Sequence, residues 1–213
     1  GARRAFMSDA RLLDSLEGQQ YLVLRPTEAV ARFWESEQAA LLEQLPEPVA
    51  HPHAGHVTMR GFHEPARVDE LRDALRAWAR EQNAIELSVD AVDGFPPPFK
   101  VLIGRLERTS SLVAAYASLT SALEMTDFVR IGELSLDEWV FHLSLVYCGV
   151  LPNDRWEVVH DDASRMVRPQ PTETIAEAEF VWYHDGVEHA ESILLGEVAV
   201  ADRTARDREK ASP

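Results

Sequence analysis

The chain has 213 residues, of which 46% are hydrophobic and 27% are charged, a composition typical of a soluble globular protein with a buried core. It carries 36 acidic against 21 basic residues, and the net charge of −15 disfavours binding of long nucleic acids, which depends on many lysine and arginine contacts. No apolar run reaches the length of a membrane span, and the single cysteine, Cys148, excludes an internal disulfide framework and predicts a reducing, cytoplasmic location.

The chain begins with a segment that predicts little regular structure. Its first residues, GARRAFMSDA, lack the apolar stretch of a secretory signal, so residues 1–19 are expected to form an N-terminal tail. We leave the residues ahead of Met7 out of the fold prediction. The first strand signal is YLVLR, at residues 21–25, and a helix follows Pro26 and ends at Pro46.

The middle of the chain alternates between strand and helix signals. After the loop EPVAHPHAG, GHVTMRGF predicts a strand, and apolar residues spaced along one face predict a helix after Pro65. The segment AIELSVDAV alternates apolar and polar residues, GFPPP is a turn, and FKVLIGRLE is the next strand. A third helix follows Thr109.

The last part of the chain predicts three strands and one helix. WVFHLSLVYCG predicts a strand, a fourth helix follows Pro152, and ETIAEAEFVWY and EHAESILLGEV predict a closing strand pair joined by an HDGV turn. Strands and helices mix without strict alternation, which predicts an α+β fold with largely antiparallel sheets. We expect one bilobal domain over residues 20–203 and a charged C-terminal tail over 204–213.

Two tetrapeptides of one pattern lie in the strongest strand signals of the two halves. The first motif is His56-Val57-Thr58-Met59, and the second motif is His142-Leu143-Ser144-Leu145. Side chains alternate faces along a strand, so each motif presents a histidine and a hydroxyl on one face over an apolar back. If the two strands face one another, the groove between them holds two imidazoles and two hydroxyls.

Such a groove suits cleavage of a phosphodiester. One histidine can take a proton from the attacking oxygen while the other gives one to the leaving oxygen, since both protonation states of histidine are accessible near neutrality. The hydroxyls of Thr58 and Ser144 can donate hydrogen bonds to the non-bridging phosphate oxygens. This chemistry requires no metal and no cofactor. The alternative for His56 and His142 is that they are ordinary strand histidines with satisfied hydrogen bonds.

The paired motifs resemble those of the two-histidine (2H) phosphoesterase superfamily, and the chain is most similar to its 2′-5′ RNA ligase / RNA 2′,3′-cyclic phosphodiesterase family. The resemblance extends over the order of elements from Tyr21 to Val198. It implies a bilobal α+β fold with pseudo-two-fold symmetry, whose central cleft carries both motifs. It also implies metal-independent hydrolysis or ligation at 2′-linked phosphates.

The resemblance assigns roles to the motif residues. It makes His56 and His142 the catalytic pair, with His142 as base and His56 as acid, and makes the hydroxyls of Thr58 and Ser144 phosphate ligands. The chain departs from the family after the second motif, where Val146 and Tyr147 stand in place of a basic residue found in many relatives.

Four further residues are candidates for substrate contacts. Arg60 and Phe62 continue the face of His56 by parity, so Arg60 can neutralise phosphate and Phe62 can stack on a base; a strand-end arginine and a core phenylalanine are the alternative. Trp182 and Tyr183 can line the cleft, although large aromatic residues more often belong to the core.

We therefore predict a phosphoesterase acting on a nucleotide or a short RNA end, with no long nucleic acid or membrane as partner, and with a monomer favoured. Two alternatives stay open. The first is a nucleotide-binding or regulatory module that keeps the cleft without turnover. The second is a metal hydrolase built on His51, His53 and His56, which lie close together in the sequence.

Overall fold

The computed structural model describes residues 2–196. It contains five helices and ten strands in this part of the chain. The helices are α1 (Ala10–Ser15), α2 (Ala29–Glu43), α3 (Val68–Arg80), α4 (Ser110–Glu124) and α5 (Asn153–Ala163). The strands are β1 (Gln19–Leu24), β2 (Val57–His63), β3 (Ile85–Phe95), β4 (Val101–Leu106), β5 (Arg130–Ile131), β6 (His142–Tyr147), β7 (Arg165–Met166), β8 (Thr172–Ile175), β9 (Glu177–His184) and β10 (Val187–Leu194).

The strands form two sheets in which every pairing is antiparallel. The first sheet has the order β10-β9-β1-β2-β5, and the second has the order β6-β4-β3-β7, with β8 also paired to β3. The predicted α+β fold with two antiparallel sheets flanked by helices is confirmed. The strand of the first motif lies in one sheet and the strand of the second motif in the other.

One continuous hydrophobic core joins the two sheets. It contains Leu22 and Phe180 from the first sheet, Leu102 and Leu143 from the second, and Trp34 of α2, all nearly inaccessible to solvent. The core thus includes residues of both sheets, and a single bilobal domain over residues 20–203 stays a prediction. Residues 197–203 of that prediction, and the charged tail 204–213, lie outside the described residues.

A carboxylate from the second sheet holds the start of α2. No side chain next to α2 caps it. Instead, Glu173 of β8 accepts hydrogen bonds from the backbone N–H groups at the helix N-terminus, those of Thr27, Glu28, Val30 and Ala31, at 3.0 to 3.3 Å. The negative charge there complements the helix dipole. This contact fixes α2, which in turn contacts both motif segments.

The structure differs from the sequence prediction at two places. The predicted strand ETIAEAEFVWY is two strands, β8 in the second sheet and β9 in the first, so the chain changes sheets near Ala176. The N-terminal segment expected as a tail is folded in its described part, because Asp9 caps α1 and Phe6 is only 2% exposed. No helix among the described residues is long and apolar enough to cross a membrane.

Candidate active site

Both motif strands carry a β-bulge at the same position. Arg60 pairs with Leu22 and Thr58 with Val23, which leaves Met59 as an extra residue in β2. Val146 pairs with Leu102 and Ser144 with Ile103, which leaves Leu145 as the extra residue in β6. Each bulge directly follows the motif hydroxyl, and an extra residue reverses which face the later side chains occupy.

The two histidines are held in the same way. The Nδ1 atom of His56 lies 3.3 Å from the carbonyl oxygen of Ala54, and that of His142 lies 2.7 Å from the carbonyl oxygen of Val140. A carbonyl only accepts, so in each case Nδ1–H donates and the proton of the neutral imidazole sits on Nδ1. The Nε2 atom of each ring is then left with a lone pair, which can accept a proton.

An aromatic ring packs against each histidine. The centroid of the Phe6 ring lies 4.5 Å from that of His56, and the centroid of Phe95 lies 4.8 Å from that of His142. The pKa of His56 is lowered to about 4, mainly by burial and in smaller part by a charge on His142. Burial also lowers the pKa of His142. Both free imidazoles are therefore neutral at pH 7.

The hydroxyl groups of both motifs line one cavity. This cavity has a volume of about 180 Å³, and Thr58, Ser144 and the His56 ring form part of its wall. His142 does not line this cavity, but it is close enough to influence the pKa of His56. The remaining wall comes from three tyrosines and five apolar residues: Tyr21, Tyr147, Tyr183, Phe6, Met7, Leu16, Val23 and Val181.

Tyr147 reaches the cavity because of the bulge in β6. A side-chain hydrogen bond joins it to Ser144, and burial raises its pKa to about 12, so the phenol stays protonated. Gly61 occupies the equivalent position after the first motif. A Cβ at that glycine would lie 2.9 Å from the ring of Tyr21, so its small size leaves room for the Tyr21 ring beside the cavity.

Helix α2 sets the two motifs relative to each other. The side-chain amide of Gln38 donates to the carbonyl oxygens of Pro52 and Leu145, both at 2.9 Å. The first carbonyl belongs to the loop before the first motif, and the second belongs to the second motif. The indole N–H of Trp34 also donates to the carbonyl oxygen of Ser144, at 2.9 Å. These contacts link positions that no local sequence pattern relates.

The prediction that Arg60 and Phe62 lie on the face of His56 is wrong. Arg60 is 1% exposed and binds Glu133 at 2.6 Å and Thr120 at 2.8 Å, and Phe62 is fully buried in the main core. The bulge at Met59 shifts the alternation by one residue and turns both side chains inward. Neither one lines the cavity.

Of the two aromatic residues near the last turn, Tyr183 lines the cavity and Trp182 does not. Tyr183 lines the cavity, and its hydroxyl donates to Glu188 at 2.9 Å. Trp182 instead stacks between Phe180 and His189, with ring centroids 5.5 Å and 5.2 Å away. The two residues are adjacent in β9, so their side chains point to opposite faces of the sheet.

Among residues 2–196, the crowded histidines before the first motif are not part of a group whose ligand atoms come close enough together to hold one metal ion. The His53 ring contacts the Ser8 hydroxyl at 2.7 Å, and the His51 ring contacts the carbonyl oxygen of Pro52. Within residues 2–196, the only three side chains whose ligand atoms come together closely enough for one ion are Glu17, His184 and Asp185. These three are exposed, and none belongs to a motif.

Comparisons with known proteins identify the family to which the chain belongs. The model of the 2′-5′ RNA ligase superfamily matches residues 26–187. That is most of the chain, so the protein belongs to this superfamily, as the paired motifs predicted. No curated protein matches the chain by sequence.

Solved structures share the fold at low sequence identity. The protein TT0787 of Thermus thermophilus is 15% identical, with a TM-score of 0.61 over 84% of this chain and 98% of its own. E. coli LigT complexed with 3′-AMP is 16% identical, with a TM-score of 0.54 over 82% and 94%. Kluyveromyces marxianus Usb1 is 11% identical, with a TM-score of 0.55 over 85% and 100%.

Proposed function

We propose that the protein is a metal-independent phosphoesterase that hydrolyses, or reversibly ligates, 2′,3′-cyclic or 2′-5′-linked phosphodiesters of nucleotides or short RNA ends. The observation that carries the proposal is the matched pair of histidines. Both have Nδ1 tied to a carbonyl two residues upstream, and each has a motif hydroxyl two residues downstream. This arrangement provides two proton-transfer groups and two phosphate-binding donors.

In the proposed hydrolysis of a cyclic phosphate, His142 takes a proton from the attacking water through Nε2. His56 donates its Nε2 proton to the ribose oxygen that leaves phosphorus, so the ring opens without a charged alkoxide. Thr58 and Ser144 donate to the non-bridging oxygens. The bound anionic phosphate raises the pKa of a neighbouring histidine, which counteracts the effect of burial and allows one imidazole to be protonated.

The net charge of the chain and the residues that line the cavity support a small substrate. The net charge of −15 opposes binding of long RNA, and no lysine or arginine is among the described residues that line the cavity. Phosphate binding therefore falls to hydroxyls, tyrosines and protonated imidazole. The complexes of E. coli LigT with 3′-AMP, ATP and NADP+ support a nucleotide as the ligand class. A cytoplasmic location, proposed from the single cysteine, is consistent with such substrates.

The test is a substrate panel in the presence of EDTA. Wild-type protein is incubated with 2′,3′-cyclic mononucleotides, 2′-5′-linked dinucleotides and oligonucleotides ending in a cyclic phosphate, and the products are separated by chromatography. The proposal expects turnover of at least one substrate class, unaffected by the chelator. Absence of turnover on all three classes contradicts it, and so does turnover that stops in EDTA and returns with a divalent ion.

A nucleotide-binding module without turnover is the second candidate, and the two histidines favour it in one respect. Burial lowers the pKa of both imidazoles, so the free site lacks the protonated group that a general acid requires. Calorimetric titration with nucleoside monophosphates separates the candidates when combined with the substrate panel. Saturable binding with no product from any substrate supports the module, whereas product formation supports the enzyme.

A further inference from the structure

The N-terminal segment reaches into the candidate active site. Phe6 is 2% exposed, and its ring lies between the His56 imidazole, 4.5 Å away, and the Arg25 guanidinium, 4.0 Å away. Met7 and Leu16 of the same segment line the cavity. All three precede residue 26, where the match to the superfamily model begins. Phe6, which makes this contact with His56, therefore lies outside the region that the superfamily model matches.

Several fixed contacts hold the backbone around Phe6. The Glu188 carboxylate, whose side chain is 3% exposed, accepts from the N–H of Phe6 at 2.9 Å, the N–H of Met7 at 3.0 Å and the guanidinium of Arg3 at 2.7 Å. On the other side, the carbonyl oxygen of Phe6 accepts from the N–H of His53 at 2.8 Å. These hydrogen bonds attach the backbone at Phe6 to β10 and to the loop that leads to the first motif.

The second half of the site contains a counterpart to this contact. His142 has the ring of Phe95 against it at 4.8 Å, and Phe95 belongs to β3 of the same sheet as His142. Among the described residues, the ring paired with His56 is that of Phe6, which belongs to neither sheet. Phe6 therefore gives His56 the aromatic contact that Phe95, in the second sheet, gives His142.

The hydrogen bonds of the two histidines indicate why the Phe6 contact matters. The bond from His142 to its carbonyl is short, at 2.7 Å, whereas the bond from His56 is 3.3 Å long. A long hydrogen bond restrains ring rotation weakly, so packing contributes more to the orientation of His56. The ring of Phe6 packs against the imidazole at an interplanar angle of 50° and contributes to its burial.

We propose that Phe6 is a positioning residue for His56, equivalent to Phe95 at His142. The proposal rests on the proposed function for its catalytic meaning. Phe6 does not touch the substrate phosphate in this account. It acts by holding the His56 imidazole with Nε2 directed into the cleft and Nδ1 on the Ala54 carbonyl.

The first test uses no substrate. Side-chain ¹H–¹⁵N NMR spectra of the histidines give the tautomer and the titration midpoint of each ring. In Phe6→Ala, water reaches His56, so its midpoint should move up towards the ordinary value of about 6.5 and its Nδ1–H form should lose dominance, with His142 unchanged. In Phe95→Ala the same changes should occur at His142 and not at His56.

We expect the other groups around His56 to stay in place in these variants, because they keep contacts that do not involve Phe6. The charged or titratable groups near it are Arg25, Glu188, His142 and the cavity tyrosines. Arg25 remains paired with Glu179 at 3.1 Å. The matched control is Leu13→Ala, which removes a partly buried apolar side chain from the same segment without touching His56. The control should leave both histidine titrations as in the wild type.

The second test measures kinetics on whichever nucleotide substrate is turned over. Phe6→Ala should lower kcat by roughly 10- to 100-fold with little change in KM, since misorientation of a proton donor affects the chemical step. Phe6→Leu, which restores apolar cover, should recover most of kcat and the wild-type midpoint. Leu13→Ala should retain kcat.

Two NMR results would overturn the proposal. One is an unchanged His56 titration and tautomer in Phe6→Ala, and the other is an equal shift of His56 in Phe6→Ala and Leu13→Ala. The NMR result is independent of turnover, so a failure of the proposed function does not hide the behaviour of His56. If turnover exists but kcat in Phe6→Ala equals that of the wild type, the positioning role is wrong while the function stands.

Discussion

Replacing Arg60 with methionine should lower the stability of the fold and leave the chemistry of the cleft intact. Arg60 donates to Glu133 at 2.6 Å and Thr120 at 2.8 Å, and its guanidinium lies 4.5 Å from the centroid of the Tyr116 ring. Methionine keeps the aliphatic volume but none of these polar contacts. The two former partners of Arg60 still have polar contacts in this variant. Glu133 keeps its ion pair with Arg130, and the Thr120 hydroxyl still donates to a backbone carbonyl.

The magnitude follows from these contacts. Two bonds made by a charged group are worth about 3–6 kcal/mol together, and burial of the methionine side chain returns about 1.5–3 kcal/mol. The free energy of unfolding should therefore fall by about 2 kcal/mol, measured by urea denaturation followed by tryptophan fluorescence. KM and kcat on a nucleotide substrate should stay within about twofold of the wild type. A raised KM with unchanged stability would refute the structural role and restore Arg60 as a substrate contact.

Three further changes should give distinct results. Glu173→Gln removes the charge at the start of α2 and should lower the free energy of unfolding by about 2 kcal/mol in urea; wild-type stability would refute the capping role. Tyr147→Phe removes the hydroxyl bonded to Ser144 and should lower kcat/KM about fivefold with stability nearly unchanged, whereas a wild-type value would contradict that role. Burial lowers the pKa of His56 and His142 in the folded state, so the unfolded state binds more protons, and stability should fall from about pH 6.5 towards pH 4. The His56→Asn/His142→Asn variant should lose less stability over that range in urea titrations, and an equal loss would contradict the burial of the neutral rings.

Local alternation along a strand was the basis for predicting the site from the sequence. Period-two patterns predicted that His56 lies beside Thr58 and His142 beside Ser144; His56, Thr58 and Ser144 line the cavity, whereas His142 does not. The same rule failed two residues later, at Arg60. A β-bulge is set by pairing with a neighbouring strand, and the alternation within β2 itself contains no sign of the extra residue.

Long-range contacts account for the other features that sequence reasoning missed. Gln38 and Glu173 look like ordinary helix and strand residues, yet one joins the two motif segments and the other caps a distant helix. Phe6 lies in a segment without a strand signal and with only a short helix after it. The adjacent apolar residues Phe6 and Met7 were the available indication that this segment is anchored, because a buried aromatic ring stabilises docking.

The central claim is that His56 and His142 together carry out proton transfer without a metal. The most direct measurement is kcat/KM in EDTA, on the substrate that the wild type turns over, for His56→Ala, His142→Ala and the control His51→Ala. Loss of a proton-transfer group should lower the value roughly 10²- to 10⁴-fold in each of the first two variants, while the control keeps the wild-type value. Activity that survives in both His56→Ala and His142→Ala would contradict the account.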